Sequence, residues 1–346
     1  MRRLILSALS CLLLAHPADA APRVDNQVAL AVDGVTQTRN LPVLLAERLG
    51  YFHDEGLDVR LIDAPAKPTP LDLLGDGRAN GAVAYYHHTF MSRTDAKLDT
   101  EAVVVLGISP GEKLLLASRL RDKVRTPADL KGLRIFTGGA NSGKTTAMNA
   151  LILHDGLSLA DYTALKPTSQ TDMAKALVDG AADAVVAHEP DASAYVASGA
   201  AFVYADFNSR AGVLASLGAL YPSTSLYLPT AWVEAHPDQA QHLVNACLRA
   251  LAFIRTHSAA EIAAALPIAD TGPDPQAYIA RLVSDKLMFD GDGLMPSEGA
   301  RMELAAMVAL NPAYRGIDVA ATYTDRFVTE SPDAPPLKTL HDAANP

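Results

Sequence analysis

Short apolar runs alternate with amphipathic stretches along most of the chain. Buried strands are predicted in its first part at 27–32, 57–63, 81–86 and 102–107. Helical spacing separates the first two of these, at 41–50, and a second alternating series runs from 133 to 207. From residue 223 onward the pattern is mainly helical, and the longest helix is predicted at 237–257. Strands that alternate with helices in this way indicate an α/β fold with largely parallel sheets.

The N-terminal segment has a different pattern. Arg2 and Arg3 precede an apolar run at 4–15, and a small-x-small motif ends at Ala20. This arrangement is typical of a secretory signal peptide at residues 1–20, cleaved near Ala20. We therefore expect the mature protein to be exported, with a periplasmic location.

Composition narrows the possible partners. The formal charge of −10 becomes −11 when the signal peptide leaves with two positive charges and one negative charge. A net negative chain is repelled by a phosphate backbone, so we expect no nucleic acid partner. After cleavage Cys247 is the one remaining cysteine, in an apolar helical context, which excludes an intramolecular disulfide and a cysteine metal cage.

A nucleotide-binding pattern occurs in the middle of the chain. Gly138, four residues, and then Gly143, Lys144 and Thr145 match the phosphate-loop pattern, in which backbone amides and a lysine hold phosphates. Two features oppose this interpretation. An exported protein meets little ATP, and no acidic strand end stands out as the second half of a nucleotide site. A phosphate-loop NTPase is therefore the least favoured alternative.

Four phrases, in order, resemble a known family. They are "LAERLGYFHDEGLDVRLID", "TPADLKGLRIFTGGANSGKTTAMNALILHDGL", "ALVDGAADAVVAHEPDASAYVASG" and "LPTAWVEAHPDQAQHLVNACLRAL". The chain resembles, over about residues 27–330, the periplasmic substrate-binding proteins of the nitrate/sulfonate/taurine, NMT1/THI5-like group. The resemblance implies a two-lobed periplasmic binding protein fold of type II, each lobe a mostly parallel sheet flanked by helices. Lobe 1 would comprise 24–109 and 223–335, and lobe 2 would comprise 110–222, with crossings near 108–113 and 217–226.

The resemblance also implies a function. We expect a monomeric, non-enzymatic protein without cofactor that closes on a small-molecule ligand and delivers it to an inner-membrane ABC permease with a cytoplasmic ATPase. The favoured ligand is a small organic anion of the sulfonate, nitrate or taurine kind. A pyrimidine or other aromatic metabolite stays open as an alternative. A metal ion held by Tyr, His and Glu side chains also stays open, although no metal ligand is assigned.

Candidate ligand-binding residues follow from this topology. The loop before the helix near 143 offers backbone amides at a helix N-terminus, which suit an anion, with Asn141 or Ser142 as the helix cap. Tyr and His at the end of the 81–86 strand lie where open α/β sheets bind ligands, although only about half of the four can face one way. The full predicted set is Thr38, Arg39, Tyr85, Tyr86, His87, His88, Asn141, Ser142, Gly143, Lys144, Thr145, His188, Glu189 and Tyr221.

Overall fold

The structure is a computed structural model that describes residues 26–140, 142–168 and 171–335. The predicted signal peptide and Asn141 lie outside the described residues. The strands are Gln27–Val32 (β1), Asp58–Asp63 (β2), Gly81–Tyr85 (β3), Thr100–Val105 (β4), Glu112–Ala117 (β5), Arg134–Phe136 (β6), Thr163–Leu165 (β7), Ala184–Ala187 (β8), Ala201–Phe207 (β9) and Thr224–Pro229 (β10).

The α-helices lie between and after these strands. They are Leu41–Arg48 (α1), Tyr51–Asp54 (α2), Pro70–Gly75 (α3), His88–Thr94 (α4), Gly143–His154 (α5), Met173–Asp179 (α6), Asp191–Ala197 (α7), Arg210–Leu217 (α8), Thr230–Ala235 (α9), Pro237–Thr256 (α10), Ala259–Ala264 (α11), Ile268–Thr271 (α12), Pro275–Asp285 (α13), Ser297–Leu310 (α14) and Arg326–Thr329 (α15).

The strands form two sheets with the same plan. The first has the order β2-β1-β3-β10-β4 and the second the order β7-β6-β8-β5-β9. In the first sheet β1 pairs in parallel with β2 and β3, whereas β10 runs antiparallel to both β3 and β4. In the second sheet β6 pairs in parallel with β7 and β8, and β5 runs antiparallel to β8 and β9. Each sheet is therefore mostly parallel, with one antiparallel strand inserted.

Apolar side chains cover both faces of each sheet, as the continuous apolar runs require. One core packs β1 and β4 against α1 and α10, and a second packs β5, β6 and β8 against α5. A smaller core on the other face of the first sheet includes Tyr86, Phe90 and residues of α14. The separate cores show that each sheet is the centre of its own α/β lobe.

Two connecting segments join the sheets and run side by side. The chain leaves the first sheet after β4 and returns to it at β10. The backbone amide of Tyr221 donates to the carbonyl of Ile108 over 3.0 Å, and that of Ser223 donates to the carbonyl of Gly107 over 2.9 Å. The two connections thus form one narrow, hydrogen-bonded strip between the lobes.

Most of the predicted elements are confirmed, and two strands were missed. β1 has the predicted bounds, and the long helix predicted at 237–257 is α10. The missed strands are β5 and β10, the antiparallel ones that follow the crossings. Within the described residues, no helix is long and apolar enough to cross a membrane.

Candidate functional site

Residues that follow the strands of both sheets line one cleft. A cavity of about 260 Å³ is lined by Thr38 and Arg39 from the first lobe and by Gly111, His188 and Glu189 from the second. Thr38 and Arg39 follow β1, and His188 and Glu189 follow β8. This is the carboxyl edge at which open α/β sheets bind ligands. The volume lies just below the usual range for small-molecule sites, so it suits a small solute.

Arg39 is held in place by its own lobe. Its Nη2 donates to the Asp33 carboxylate over 2.9 Å and to the Asp33 carbonyl over 2.8 Å. The guanidinium also lies over the Tyr85 ring, 5.1 Å from its centre. Burial opposes the charge, but Tyr85 and Asp33 outweigh it and raise the pKa of Arg39. Arg39 is therefore a fixed cation at the cleft wall.

Asp285, on the first lobe, adds a carboxyl to the same cavity. It lies at the end of α13 and is only 5% exposed. Burial raises the pKa of Asp285 to about 6, although a hydrogen bond from Thr38 and the charge of Arg281 lower it in part. The Thr38 side chain is therefore hydrogen-bonded within its own lobe.

The four residues at the end of β3 divide into two pairs. Tyr85 and His88 keep partial exposure, whereas Tyr86 and His87 are fully buried. The Tyr86 hydroxyl shares a hydrogen bond with Thr322, and His87 Nδ1 lies 2.9 Å from a Glu303 oxygen. Of the four, Tyr85 and His88 therefore keep surface that a ligand could reach, whereas Tyr86 and His87 belong to the packed interior.

The residue before helix α5 caps its N-terminus, as the sequence predicted for either Asn141 or Ser142. The Ser142 hydroxyl accepts from the Thr145 amide over 3.3 Å, while Asn141, the other candidate, is outside the described residues. A Cβ on Gly143 would lie 2.7 Å from atoms of the Tyr85 ring. The absence of a side chain at Gly143 therefore lets the two lobes touch at Tyr85.

The phosphate-loop pattern has a structural explanation. The Thr145 hydroxyl, which would bind Mg²⁺ in a nucleotide site, accepts from the Gly138 amide over 3.2 Å. It also accepts from the Ser142 hydroxyl over 3.2 Å. Gly138 is needed because a Cβ there would lie 2.2 Å from the Ser142 Oγ. These residues build the entry to α5 and leave its first amides without helical partners.

Lys144 follows Gly143 in the first turn of α5. Within the described residues, its ammonium group makes no hydrogen bond and no ion pair. Burial lowers the pKa of His188 and the charge of Lys144 lowers it further, whereas burial raises the pKa of Glu112 and the same charge offsets part of that rise. An unpaired lysine in the first turn of a helix, beside its N-terminal amides, is suited to an anion.

His188 and Glu189 have different roles. The Glu189 carboxylate accepts from Lys113 over 2.6 Å and from the Ser193 amide over 3.0 Å, so it fixes the start of α7. His188 Nδ1 lies 3.2 Å from the Gly111 carbonyl. Burial and the charge of Lys144 lower the pKa of His188 to about 4, so its ring is neutral at neutral pH.

Glu112, the first residue of β5, was missed by sequence reasoning. It is fully buried, and neither carboxyl oxygen has a hydrogen-bond partner within the described residues. Burial raises the pKa of Glu112 to about 8, although Lys144 and Arg39 lower it in part. In the sequence it stands beside Lys113 before an apolar run, which is typical of a solvated strand end. The one available signal was its position in the first predicted crossing.

Tyr221 lies behind the cleft, in the second crossing. Its hydroxyl donates to a Glu303 oxygen over 2.8 Å, and the same oxygen is 2.9 Å from His87. All three side chains are buried. Because Glu303 belongs to α14, which packs against α5, this cluster ties the crossing to both lobes.

Two other features of the described residues bear on where a ligand could bind. A larger cavity of about 800 Å³ lies at the outer edge of the first sheet, along β2, away from the cleft residues. Its lining is an open strand edge with charged side chains such as Glu47, Arg48 and Asp58. In the described part of the chain, no group of three or more His, Cys, Asp or Glu residues could hold a metal ion.

The two lobes, the paired crossings and a polar cleft between them define a two-lobed α/β architecture. The sequence model for the "NMT1/THI5 like" family matches residues 37–260, and the chain belongs to that family. A solved protein from Bordetella bronchiseptica RB50 is 27% identical, with a TM-score of 0.68 over 92% of this chain and 98% of that one.

Another similar structure is the alkanesulfonate-binding protein SsuA from Xanthomonas axonopodis pv. citri, bound to MOPS. It is 20% identical, with a TM-score of 0.57 over 87% of this chain and 98% of that one. The chain thus has the periplasmic binding protein fold.

One relative is named for an enzymatic activity. The 4-amino-5-hydroxymethyl-2-methylpyrimidine phosphate synthase THI13 of Saccharomyces cerevisiae is 27% identical over 152 residues, 43% of this chain. The match spans 42% of the yeast protein's length, less than half of it.

Proposed function

We propose that the protein is an exported solute-binding protein that captures a small organic anion between its lobes and delivers it to an inner-membrane ABC importer. The lobes would be 24–109 with 223–335, and 110–222. The observation that carries the proposal is Lys144, a cleft cation without an anionic partner in the described residues, at the start of α5. The likeness to an alkanesulfonate-binding protein supports the anion.

The geometry also supports capture by closure. Tyr85 of the first lobe contacts the Gly143 position of the second. Asn208, after β9, donates from Nδ2 to the Ser284 carbonyl over 3.0 Å and to the Ser284 hydroxyl over 2.8 Å, where Ser284 belongs to α13. A ligand that contacts both lobes favours this closed arrangement by its differential affinity.

A second candidate function is binding of a pyrimidine-like ring. Tyr85 and His88 present partly exposed rings at the cleft, 6.3 Å apart between centres and edge to face. Aromatic side chains in this arrangement can stack on a flat ligand. The pyrimidine chemistry in the name of the yeast relative favours the same candidate.

Calorimetry on residues 21–346 tests both candidates. We expect saturable binding of ethanesulfonate or nitrate, no binding of ATP with Mg²⁺, and recovery of the ligand unchanged by NMR. Binding of a 4-aminopyrimidine but of no anion would favour the second candidate. Binding of ATP with Mg²⁺ alone, or conversion of a ligand, would contradict a solute-binding role.

A further inference from the structure

Glu112 has no explanation as a structural residue. Its side chain is fully buried, and both carboxyl oxygens lack hydrogen-bond partners in the described chain. Buried polar groups are almost always hydrogen-bonded, because an unsatisfied one retains its full desolvation cost. A carboxyl left in this state at the junction of two lobes indicates that something bound between them completes its hydrogen bonding.

No basic side chain around the Glu112 carboxyl forms a hydrogen bond with it in the described chain. The Arg39 guanidinium is paired with Asp33, and the Lys113 ammonium is paired with Glu189. His188 is the nearest basic group, with its Nε2 at 3.4 Å from Glu112 Oε1.

The tautomer of His188 shows which partner carries a proton. Its Nδ1 lies 3.2 Å from the Gly111 carbonyl, and a carbonyl can only accept, so Nδ1 holds the proton. Since the ring is neutral, Nε2 presents a lone pair to Glu112. A carboxylate facing that lone pair is repelled more strongly than the bare oxygen of a neutral carboxyl, so the ring favours a protonated Glu112 whose proton is on Oε2, the oxygen not facing Nε2.

Other charged and titratable groups also face Glu112, from several elements. They are Arg39 after β1, Tyr85 at the end of β3, Lys144 in α5, and Tyr221 in the second crossing. Burial raises the pKa of Tyr85 to about 12 and holds the pKa of Tyr221 well above its ordinary value. Neither tyrosine therefore changes its charge between pH about 6 and 9.

We propose that Glu112 recognises the bound solute as a neutral carboxylic acid, which donates a hydrogen bond to an anionic oxygen of the ligand. The inference rests on the proposed anion-binding function. The ligand class it selects is an oxyanion, because such a ligand accepts at once from Glu112, from Lys144 and from the first amides of α5. Binding then requires the proton on Glu112, and the raised pKa of this carboxyl keeps that proton in place at neutral pH.

The test is the pH dependence of ethanesulfonate affinity, because this probe keeps its charge across the range. We expect the affinity of the wild-type protein to fall about tenfold between pH 7 and pH 9 as Glu112 loses its proton. Glu112→Gln keeps a neutral donor at every pH, so its affinity should stay within about threefold of the wild-type value at pH about 6 and vary little. The exposed Glu234→Gln is the matched control and should retain the wild-type profile.

A second measurement needs no variant. Wild-type calorimetry in buffers of different ionisation enthalpy counts the protons exchanged on binding, and at pH about 8 to 9 we expect net proton uptake. Proton release, or an affinity that is constant or rises with pH, would overturn the role of Glu112 and leave the anion site intact. Failure of ethanesulfonate, nitrate and acetate to bind at any pH would overturn the proposed function, and the inference with it.

Discussion

The two sides of the cleft carry similar charges in different states. On the first lobe Arg39 is paired with Asp33 at 2.9 Å. On the second lobe Lys144 has no partner among the described residues, and the buried carboxyl of Glu112 has no hydrogen bond there. A charged side chain with a protein partner is fixed in position by that partner. A side chain without one can still form an ion pair or a hydrogen bond with a ligand. We therefore expect Arg39 on the first side to serve positioning and Lys144 on the second side to serve recognition.

The largest expected effect is the contribution of Glu112 to the pH dependence of the free energy of unfolding. The folded protein holds the Glu112 proton up to pH about 8, whereas the unfolded chain releases it near the ordinary value of 4.5. Between these values the folded state binds more protons, so its stability falls as pH rises. Glu112→Gln should become more stable relative to wild type by about 3 kcal/mol between pH 5 and 8. Urea unfolding of both proteins at several pH values measures this difference in free energy of unfolding. A difference that does not change with pH would contradict the claim that Glu112 is a buried, protonated acid.

The next effect tests contact between the two sides. Gly143→Val places side-chain atoms where the Tyr85 ring lies, because even a Cβ would be 2.7 Å from that ring. We expect anion binding to weaken by about 2 kcal/mol through overpacking at closure. Gly75→Val is the control, since a Cβ there meets nothing within 4 Å. Equal affinity in both variants would show that closure does not bring these lobes together at Tyr85.

A smaller effect is expected for the paired cation. Arg39→Met removes the partner of Asp33, whose side chain is 20% exposed, so water offsets part of the loss. The free energy of unfolding should fall by about 1 kcal/mol. The exposed Lys123→Met should leave it unchanged, as urea unfolding can show. A stability equal to that of the control would remove the positioning role from Arg39.

The sequence predicted the parallel strands well, because each is an apolar run framed by helices. It missed β5 and β10 for a physical reason. These strands run antiparallel between parallel neighbours and follow long crossings, so the local alternation that identifies a strand–helix unit is absent around them. The pairing that defines β10 comes from β3 and β4, more than 100 residues earlier in the chain.

The candidate site was predictable only in part. The loop before α5 and the residues after β8 could be placed in the cleft from topology, and their contact with ligand stays a prediction. The burial of Tyr86 and His87 could not be assigned, because β3 ends at Tyr85 and α4 begins at His88, which breaks the alternation of a strand. Glu112 could not be identified from the sequence, because its burial without hydrogen-bond partners is a property of the tertiary structure at the junction of the lobes.

The most direct test is the affinity of Lys144→Met for the anion that wild type binds. We expect affinity to fall at least about tenfold because the variant lacks the charge proposed to attract the anion, and we expect unfolding to be unchanged because the ammonium makes no hydrogen bond or ion pair among the described residues. Lys123→Met serves as the exposed control. Unchanged affinity in Lys144→Met would contradict the assignment of anion recognition to the second side of the cleft.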